Sequence, residues 1–163
     1  MNTIKFYVFV TAAFVFICRS NILAFDPKDY EQRLISDVVQ SEWEKRQGRD
    51  IEDSLRAVIN TTGETFYDVV KWNGKKRKID KQNVLWWLVI NSRKDGFENY
   101  FTYEILVRDS DRKEYWIPIQ DTHLVSLEKE CKQCKSVKLY LLFFACTQKQ
   151  SLIVVNEFAV DED

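Results

Sequence analysis

The sequence has little of what most enzymes use for catalysis. Histidine occurs once, at His123. A nucleophile activated by imidazole would depend on this single residue, and a loop histidine is the simpler interpretation. The sequence also lacks a phosphate-binding loop, a dinucleotide fingerprint and a metal-protease helix motif. We therefore predict a protein that is not an enzyme and that uses no cofactor.

Concentrated positive charge is also absent, and so is a long apolar run beyond the first 24 residues. The chain has 24 basic and 25 acidic residues, and its one dense basic run is Lys75–Lys78. Binding to nucleic acid requires a concentrated basic face, so we predict no nucleic-acid partner. A membrane-spanning helix needs about 20 apolar residues, and we predict no such span in the mature chain.

The first 24 residues have the pattern of a secretory signal peptide. Lys5 precedes an uncharged apolar run from Phe6 to Cys18, which is too short to span a membrane. Small residues follow, and cleavage after Ser20 or after Ala24 fits the pattern. We predict that residues 1–24 are removed and that residues 25–163 form a single secreted, extracellular domain.

Export predicts two covalent modifications. Three cysteines remain after signal removal, and exported cysteines are usually oxidised, so we predict one disulfide that joins Cys146 to Cys131 or Cys134. A zinc site of these cysteines with His123 fits an oxidising compartment less well than a disulfide does, and we predict no metal. A redox pair at Cys131 and Cys134 is also less favoured, because such motifs begin a helix and here a strand follows. The sequon at Asn60 predicts a glycosylated surface asparagine.

The pattern of apolar residues predicts an α+β domain, with an N-terminal helix or helix pair packed on a curved antiparallel β-sheet. An Asp-Gly turn at Asp95 and Gly96 predicts that the sheet centres on a hairpin from Val84 to Arg108. We expect Glu104 in this hairpin to face solvent, and residues 121–133 to form a loop with one helical turn. The predicted helices are Pro27–Gln47 and Arg49–Ile59, and the predicted strands are Thr65–Trp72, Val84–Ile90, Tyr100–Val107, Glu114–Gln120, Lys135–Thr147 and Ser151–Val160.

Two adjacent tryptophans lie in the first strand of this hairpin. Neighbouring residues of a strand face opposite sides of the sheet. One indole, from Trp86 or Trp87, should therefore enter the core. The other should meet a second layer, a ligand or a partner.

The stretch Gly96–Val107 resembles the glycine-then-Asn-Tyr-aromatic start of the third strand in the cystatin superfamily. The C-terminal hairpin, Leu139–Val160, is similar to the last two strands of that family. The resemblance implies a sheet wrapped around a helix and inhibition of papain-like cysteine proteases. The chain departs from the family at its protease-contacting elements. Of the Q-x-V-x-G loop only Gly96 is kept, the last hairpin has Gln148 and Lys149 where Pro-Trp stands, and no glycine precedes the first helix.

Two hypotheses of function follow. The first is a secreted cystatin-like interaction protein, or more specifically an atypical cysteine-protease inhibitor. The residues that would contact its partner are Arg93, Lys94, Asp95, Gly96, Gln148 and Lys149. The second is a carrier of a small apolar ligand in a helix-over-sheet pocket, similar to the cone of the nuclear-transport-factor-like superfamily. A filled core favours the first hypothesis, whereas an apolar cavity favours the second. The ligand pocket would be lined by Trp86 or Trp87, Tyr103, Phe143 and Phe144.

Overall fold

The computed structural model describes residues 25–46, 49–52, 55–92, 96–132 and 134–160. The predicted signal peptide and the predicted contacts Arg93, Lys94 and Asp95 lie outside these residues. The elements are, in chain order, a 3-10 helix at Pro27–Asp29, strand β1 at Glu31–Gln32, helix α1 at Ile35–Arg46, strand β2 at Arg49–Glu52, strand β3 at Leu55–Lys78, helix α2 at Val84–Ser92, a 3-10 helix at Phe97–Tyr100, strand β4 at Tyr103–Arg108, strand β5 at Glu114–Ile119, helix α3 at Asp121–Glu130, strand β6 at Val137–Cys146 and strand β7 at Ser151–Ala159.

Five of these strands close into a barrel, because β3 pairs with two neighbours. Antiparallel ladders join β3 to β4, β4 to β5, β3 to β6 and β6 to β7. A parallel pair, Ile119 with Val155, joins β5 to β7 and completes the order β3-β4-β5-β7-β6. The predicted α+β class is confirmed. The barrel is closed and mixed, and the finer prediction of a helix or helix pair on a curved antiparallel sheet is not confirmed.

Strand β3 is long enough to pair with β6 along one part and with β4 along another. Its course contradicts two predictions. Its first part pairs with β6 as far as Val70, and its last part pairs with β4 from Lys71 onward. The predicted helix Arg49–Ile59 is wrong, because this stretch forms β2 and the beginning of β3. The dipeptide Asn73-Gly74 has the sequence of a hairpin turn and predicts one, but it lies at an irregularity within the strand, where the ladder with β4 shifts register between Trp72 and Lys76. Gly74 takes a φ of +79°, which glycine adopts without the strain of a side chain.

The N-terminal segment lies along the barrel before α1 begins. The predicted helix Pro27–Gln47 is wrong in its first part, where β1 pairs parallel with β3. Asp26 caps only the short 3-10 helix, since its Oδ1 accepts the Lys28 N–H at 3.0 Å. Helix α1 starts at Ile35, whose N–H donates to Asp68 Oδ2 at 3.1 Å. A carboxylate from a strand thus satisfies an amide that the helix itself leaves open.

Helix α2 occupies the place of the first strand of the predicted central hairpin. The prediction of a strand at Val84–Ile90 is wrong, and with it the hairpin. A fully apolar run has no periodicity that separates a helix from a strand. The deciding signal is Asn83, whose Oδ1 accepts the Leu85 N–H at 2.9 Å as a helix N-cap. The run then packs against the barrel through Leu85, Trp86 and Val89.

Helix α3 replaces the predicted loop at residues 121–133. Leu124 and Leu127 are spaced for one helix face, and both are buried in the barrel core. His123 therefore lies in a helix and not in a loop. Its Nδ1 lies 3.6 Å from Glu157 Oε1. Four of the remaining strand predictions are confirmed within a few residues, as β4, β5, β6 and β7. The predicted strand Thr65–Trp72 is the middle part of the much longer β3.

The core has two parts that are separated by the wall of β6 and β7. The barrel interior is filled by side chains such as Phe66, Ile105 and Phe143, which are fully buried. A second cluster fills the space between the outer side of this wall and α2, with Phe144 at its centre. Helices α1 and α3 contribute Ile35, Leu124 and Leu127 to the first part.

The disulfide joins Cys131 to Cys134, across the end of α3, with 4.9 Å between the Cα atoms. The preferred pairing of Cys146 with either of them is wrong. Cys146 lies buried in β6, in the barrel core. A helix end followed by a tight loop brings the two near cysteines together, whereas β6 carries Cys146 to the other end of the strand.

Replacing Cys131 and Cys134 by serine is expected to lower the free energy of unfolding by at most about 2 kcal/mol, since the disulfide closes a loop of only a few residues. Urea unfolding of the double variant measures this loss. Mass spectrometry of unreduced proteolytic peptides checks the pairing independently. A linked peptide that contains Cys146 would contradict the structure.

None of the helices within the described ranges has the length and the apolar content that a membrane crossing requires.

Candidate functional site

A groove of about 470 Å³ follows the seam between β5 and β7. Its closed end is the pair Ile119–Val155, the pair that joins these two strands. The residues that precede this pair on each strand, Glu114–Pro118 and Ser151–Ile153, form the two long walls. The end of β3, the start of α2 and the turn between β6 and β7 enclose the groove further. The barrel is thus closed at one end of the seam and open at the other.

Pro118 accounts for the point at which the seam opens. It precedes Ile119 in β5 and lies opposite Glu104 of β4. Proline has no N–H, so a strand tolerates it where its nitrogen faces away from a paired neighbour. We therefore place this nitrogen on the side of the seam, where β5 cannot offer a donor to β7.

The outer wall of the groove carries a stacked cation. Arg77 and Glu104 lie opposite each other on β3 and β4, and Arg77 Nε donates to Glu104 Oε1 at 2.5 Å. The Arg77 guanidinium carbon lies 4.1 Å from the ring centroid of Trp116 on β5, a cation–π contact. Glu104 is only 9% exposed, so the expectation that it faces solvent is wrong. Three strands thereby fix one charged and aromatic surface.

Burial shifts the pKa of Glu104, the acidic side chain of this surface. Loss of solvent raises the pKa of Glu104 above its ordinary value, and the hydrogen bond and charge of Arg77 lower it. The charge of Asp80 adds a further, smaller increase to the pKa. A carboxylate that has lost its water depends on such a cation to remain ionised. Arg77 therefore contacts two side chains of this surface, the acidic Glu104 and the aromatic Trp116.

Arg77→Ala is expected to lower the free energy of unfolding by about 1–3 kcal/mol, because it leaves a buried carboxylate without its partner. Arg108→Ala is the matched control. Arg108 also contacts a carboxylate, that of Glu114, at 2.5 Å, but the two side chains are 51% and 47% exposed, so little change is expected. Urea unfolding of both variants measures the difference. Equal losses would contradict the role of Glu104 burial.

The turn between β6 and β7 forms one end of the groove and contains two predicted contact residues. Thr147 N–H donates to Gln150 O at 2.8 Å, and Thr147 Oγ1 accepts the N–H groups of Lys149 and Gln150 at 3.2 and 3.1 Å. These bonds hold the turn, while Gln148 and Lys149 remain exposed and line the groove. Gly96 lies elsewhere, at the start of the second 3-10 helix with a φ of +70°.

The residues predicted to line an apolar pocket do not form one. Phe143 and Phe144 are fully buried on opposite sides of the barrel wall, and Tyr103 packs against the barrel core. Trp86 is 4% exposed and lines the groove, whereas Trp87 is 55% exposed. The division of the two indoles is confirmed, although a helix produces it. Residues one apart on a helix differ by about 100° in direction, enough to separate them.

The cysteine and histidine residues do not assemble a metal site. Cys131 and Cys134 are joined to each other, and His123 contacts Glu157. In the part of the chain that the structure describes, no three His, Cys, Asp or Glu side chains are placed to hold a metal ion. Asn60, the predicted glycosylation site, lies half-buried in β3, where the ladder with β6 shifts register between Ile59 and Glu64.

The sequence contained only weak signals for the groove. Arg77 belongs to the basic run Lys75–Lys78, and Trp116 belongs to an ordinary strand pattern. Their contact depends on β3, β4 and β5 lying side by side, which no local spacing encodes. Comparisons with protein-family models, with curated proteins and with solved structures found no match.

Proposed function

We propose that this is an exported binding protein that holds a partner polypeptide in the groove along the β5–β7 seam. The observation that carries the proposal is the contrast between a filled barrel and an open, mixed polar and aromatic groove. Binding sites combine apolar walls with a few fixed polar groups, and Arg77, Glu104 and Trp116 provide such groups. This proposal keeps Gln148 and Lys149 as contact residues.

The connectivity of the barrel supports the location of the site. The order β3-β4-β5-β7-β6, with a helix between the third and fourth barrel strands, resembles the OB-type barrel. In such barrels the face of the second and third strands and two adjacent loops bind ligands. The corresponding parts here are β4, β5, the segment that contains α2, and the turn at Thr147–Gln150. The likeness is one of fold and does not identify the ligand.

A polypeptide partner fits the geometry better than a small apolar ligand. A carrier needs an enclosed apolar space, and the side chains that would line it, Phe143 and Phe144, are fully buried in the core. The groove is partly open to solvent and has ionic groups among its lining residues. Such a surface suits an extended chain with both apolar and polar side chains.

The specific partner that the cystatin resemblance implies is a papain-like cysteine protease. Titration of papain with the mature protein tests this form of the proposal. Stoichiometric loss of protease activity, absent for Lys149→Glu, would support an inhibitor that uses the turn at Thr147–Gln150. Full protease activity at micromolar protein would remove the inhibitor and leave the binding protein.

The wider proposal is tested with a photo-crosslinking residue at position 148, in the turn, and a matched one at Lys132, outside the groove. Mature protein is incubated with extracellular fluid from its source. A partner cross-linked from position 148 only, and lost when Trp116→Ala is added, is the expected result. Equal products from both positions, or products that Trp116→Ala leaves unchanged, would refute the groove as the binding site.

A further inference from the structure

We infer that the partner segment binds as an added β-strand along the edge of β5. This inference rests on the proposed function and specifies how the groove holds its partner. Strand addition uses backbone groups for affinity and alternate side chains for specificity. Four features of the seam lead to this mode: its pairing, its direction, its length and the alternation of its walls.

The pairing leaves one edge of β5 open. All six residues of β5 pair with β4 on one side. On the other side the described pairing with β7 is confined to Ile119. The stretch Glu114–Pro118 therefore presents an edge to the groove. An open strand edge is a template for another extended chain.

The direction of the incoming segment follows from the two walls. Strands β5 and β7 run parallel to each other, so a chain between them is either parallel to both or antiparallel to both. Antiparallel pairing is the more stable arrangement for each residue pair. The segment should therefore run opposite to β5, in the same sense as β4. Five residues along Glu114–Pro118 extend roughly 16 Å, which sets the length of the paired segment.

The two sides of the seam differ in chemistry, which determines the side-chain pattern of the segment. Ile117 and Ile153 belong to the barrel core, and Val39 of α1 packs beside them. On the outer side stand Trp116 and the Arg77 that covers its ring. Successive residues of a strand point to opposite faces. The partner segment should therefore alternate apolar residues, directed at the isoleucines, with polar residues, directed at Arg77.

The probe is a library of random linear peptides that are selected on the mature protein and afterwards titrated against Trp116→Ala and Lys149→Glu. Selected peptides should show apolar residues at every second position. N-methylation of the peptide backbone should weaken binding about tenfold or more at alternate positions and little at the others. Hydrogen exchange of the complex should slow at the amides of Glu114 and Trp116, which point to the same side of β5 as the Pro118 nitrogen, whereas those of Tyr115 and Ile117 point toward β4. The short edge strand β1, at Glu31–Gln32, serves as the unaffected control.

The outcomes separate this inference from the proposed function. Peptides that require Trp116 and Lys149, but tolerate N-methylation throughout and leave the β5 amides unprotected, would overturn strand addition and preserve the groove as a binding site. Selected peptides that bind Trp116→Ala and Lys149→Glu as well as the unaltered protein would overturn both. A second copy of the chain as occupant would appear as a dimer that the selected peptides dissociate by competition, and this would overturn the inference that the occupant is a segment of a different partner.

Discussion

Phe144→Ala is expected to lower the free energy of unfolding by about 3–5 kcal/mol, the usual loss when a buried phenylalanine is truncated. Phe144 is fully buried between β6 and α2, and its ring lies 3.4 Å from the point that a Cβ on Gly63 would occupy. The backbone at Gly63 therefore lies close to the ring, and truncation to alanine removes this contact together with those inside the cluster. Urea unfolding, monitored by tryptophan fluorescence, measures the loss.

The same variant separates the two hypotheses of function. A side chain that lines an empty ligand pocket contributes little to stability, because it has few neighbours to lose. Trp87→Ala is the control, since 55% of this indole is exposed and its removal should cost far less. Similar losses for the two variants would indicate that Phe144 faces a cavity, and would revive the small-ligand carrier. A large loss for Phe144→Ala alone favours a filled core and the polypeptide groove.

The strands that were predicted correctly carry their information locally. In β6, apolar and aromatic residues continue from Val137 to Cys146, and β7 repeats the pattern after a polar turn. Such runs form strands wherever they are packed on both sides. For this reason the predicted C-terminal hairpin is present in the structure, as β6 and β7.

The elements that were predicted wrongly depend on information that is not local. The run Val84–Ile90 suits a strand by composition, yet Asn83 caps it and the second cluster accepts it as a helix. The start of β3 has helical spacing, but pairing with β6 determines its conformation. The groove was missed for the same reason. Arg77, Glu104 and Trp116 are far apart in sequence, and barrel closure brings them together.

The ionisation of Asp68, a buried carboxyl, is expected to lower folding stability as the pH rises from about 4 to about 6. Loss of solvent at Asp68 raises its pKa from 3.8 to about 6, with the charge of Asp109 acting in the same direction and the N–H groups of Ile35 and Val69 opposing it. Between these pH values the folded chain holds a proton that the unfolded chain has released. Stability contributed by this group is therefore present below about pH 4 and lost as the pH passes about 6, by roughly 3 kcal/mol.

Asp68→Asn should flatten this part of the pH profile, because the amide does not ionise and can still accept the Ile35 N–H. The decisive quantity is the slope of the unfolding free energy between pH 4 and about 6. It does not depend on what the substitution costs at any single pH. Glu130→Gln, at an exposed position on α3, is the control and should leave the slope unchanged. A slope that persists in Asp68→Asn would assign the titration to another group. A slope that disappears would establish that the amino end of α1 is held by a carboxyl whose burial opposes its charge.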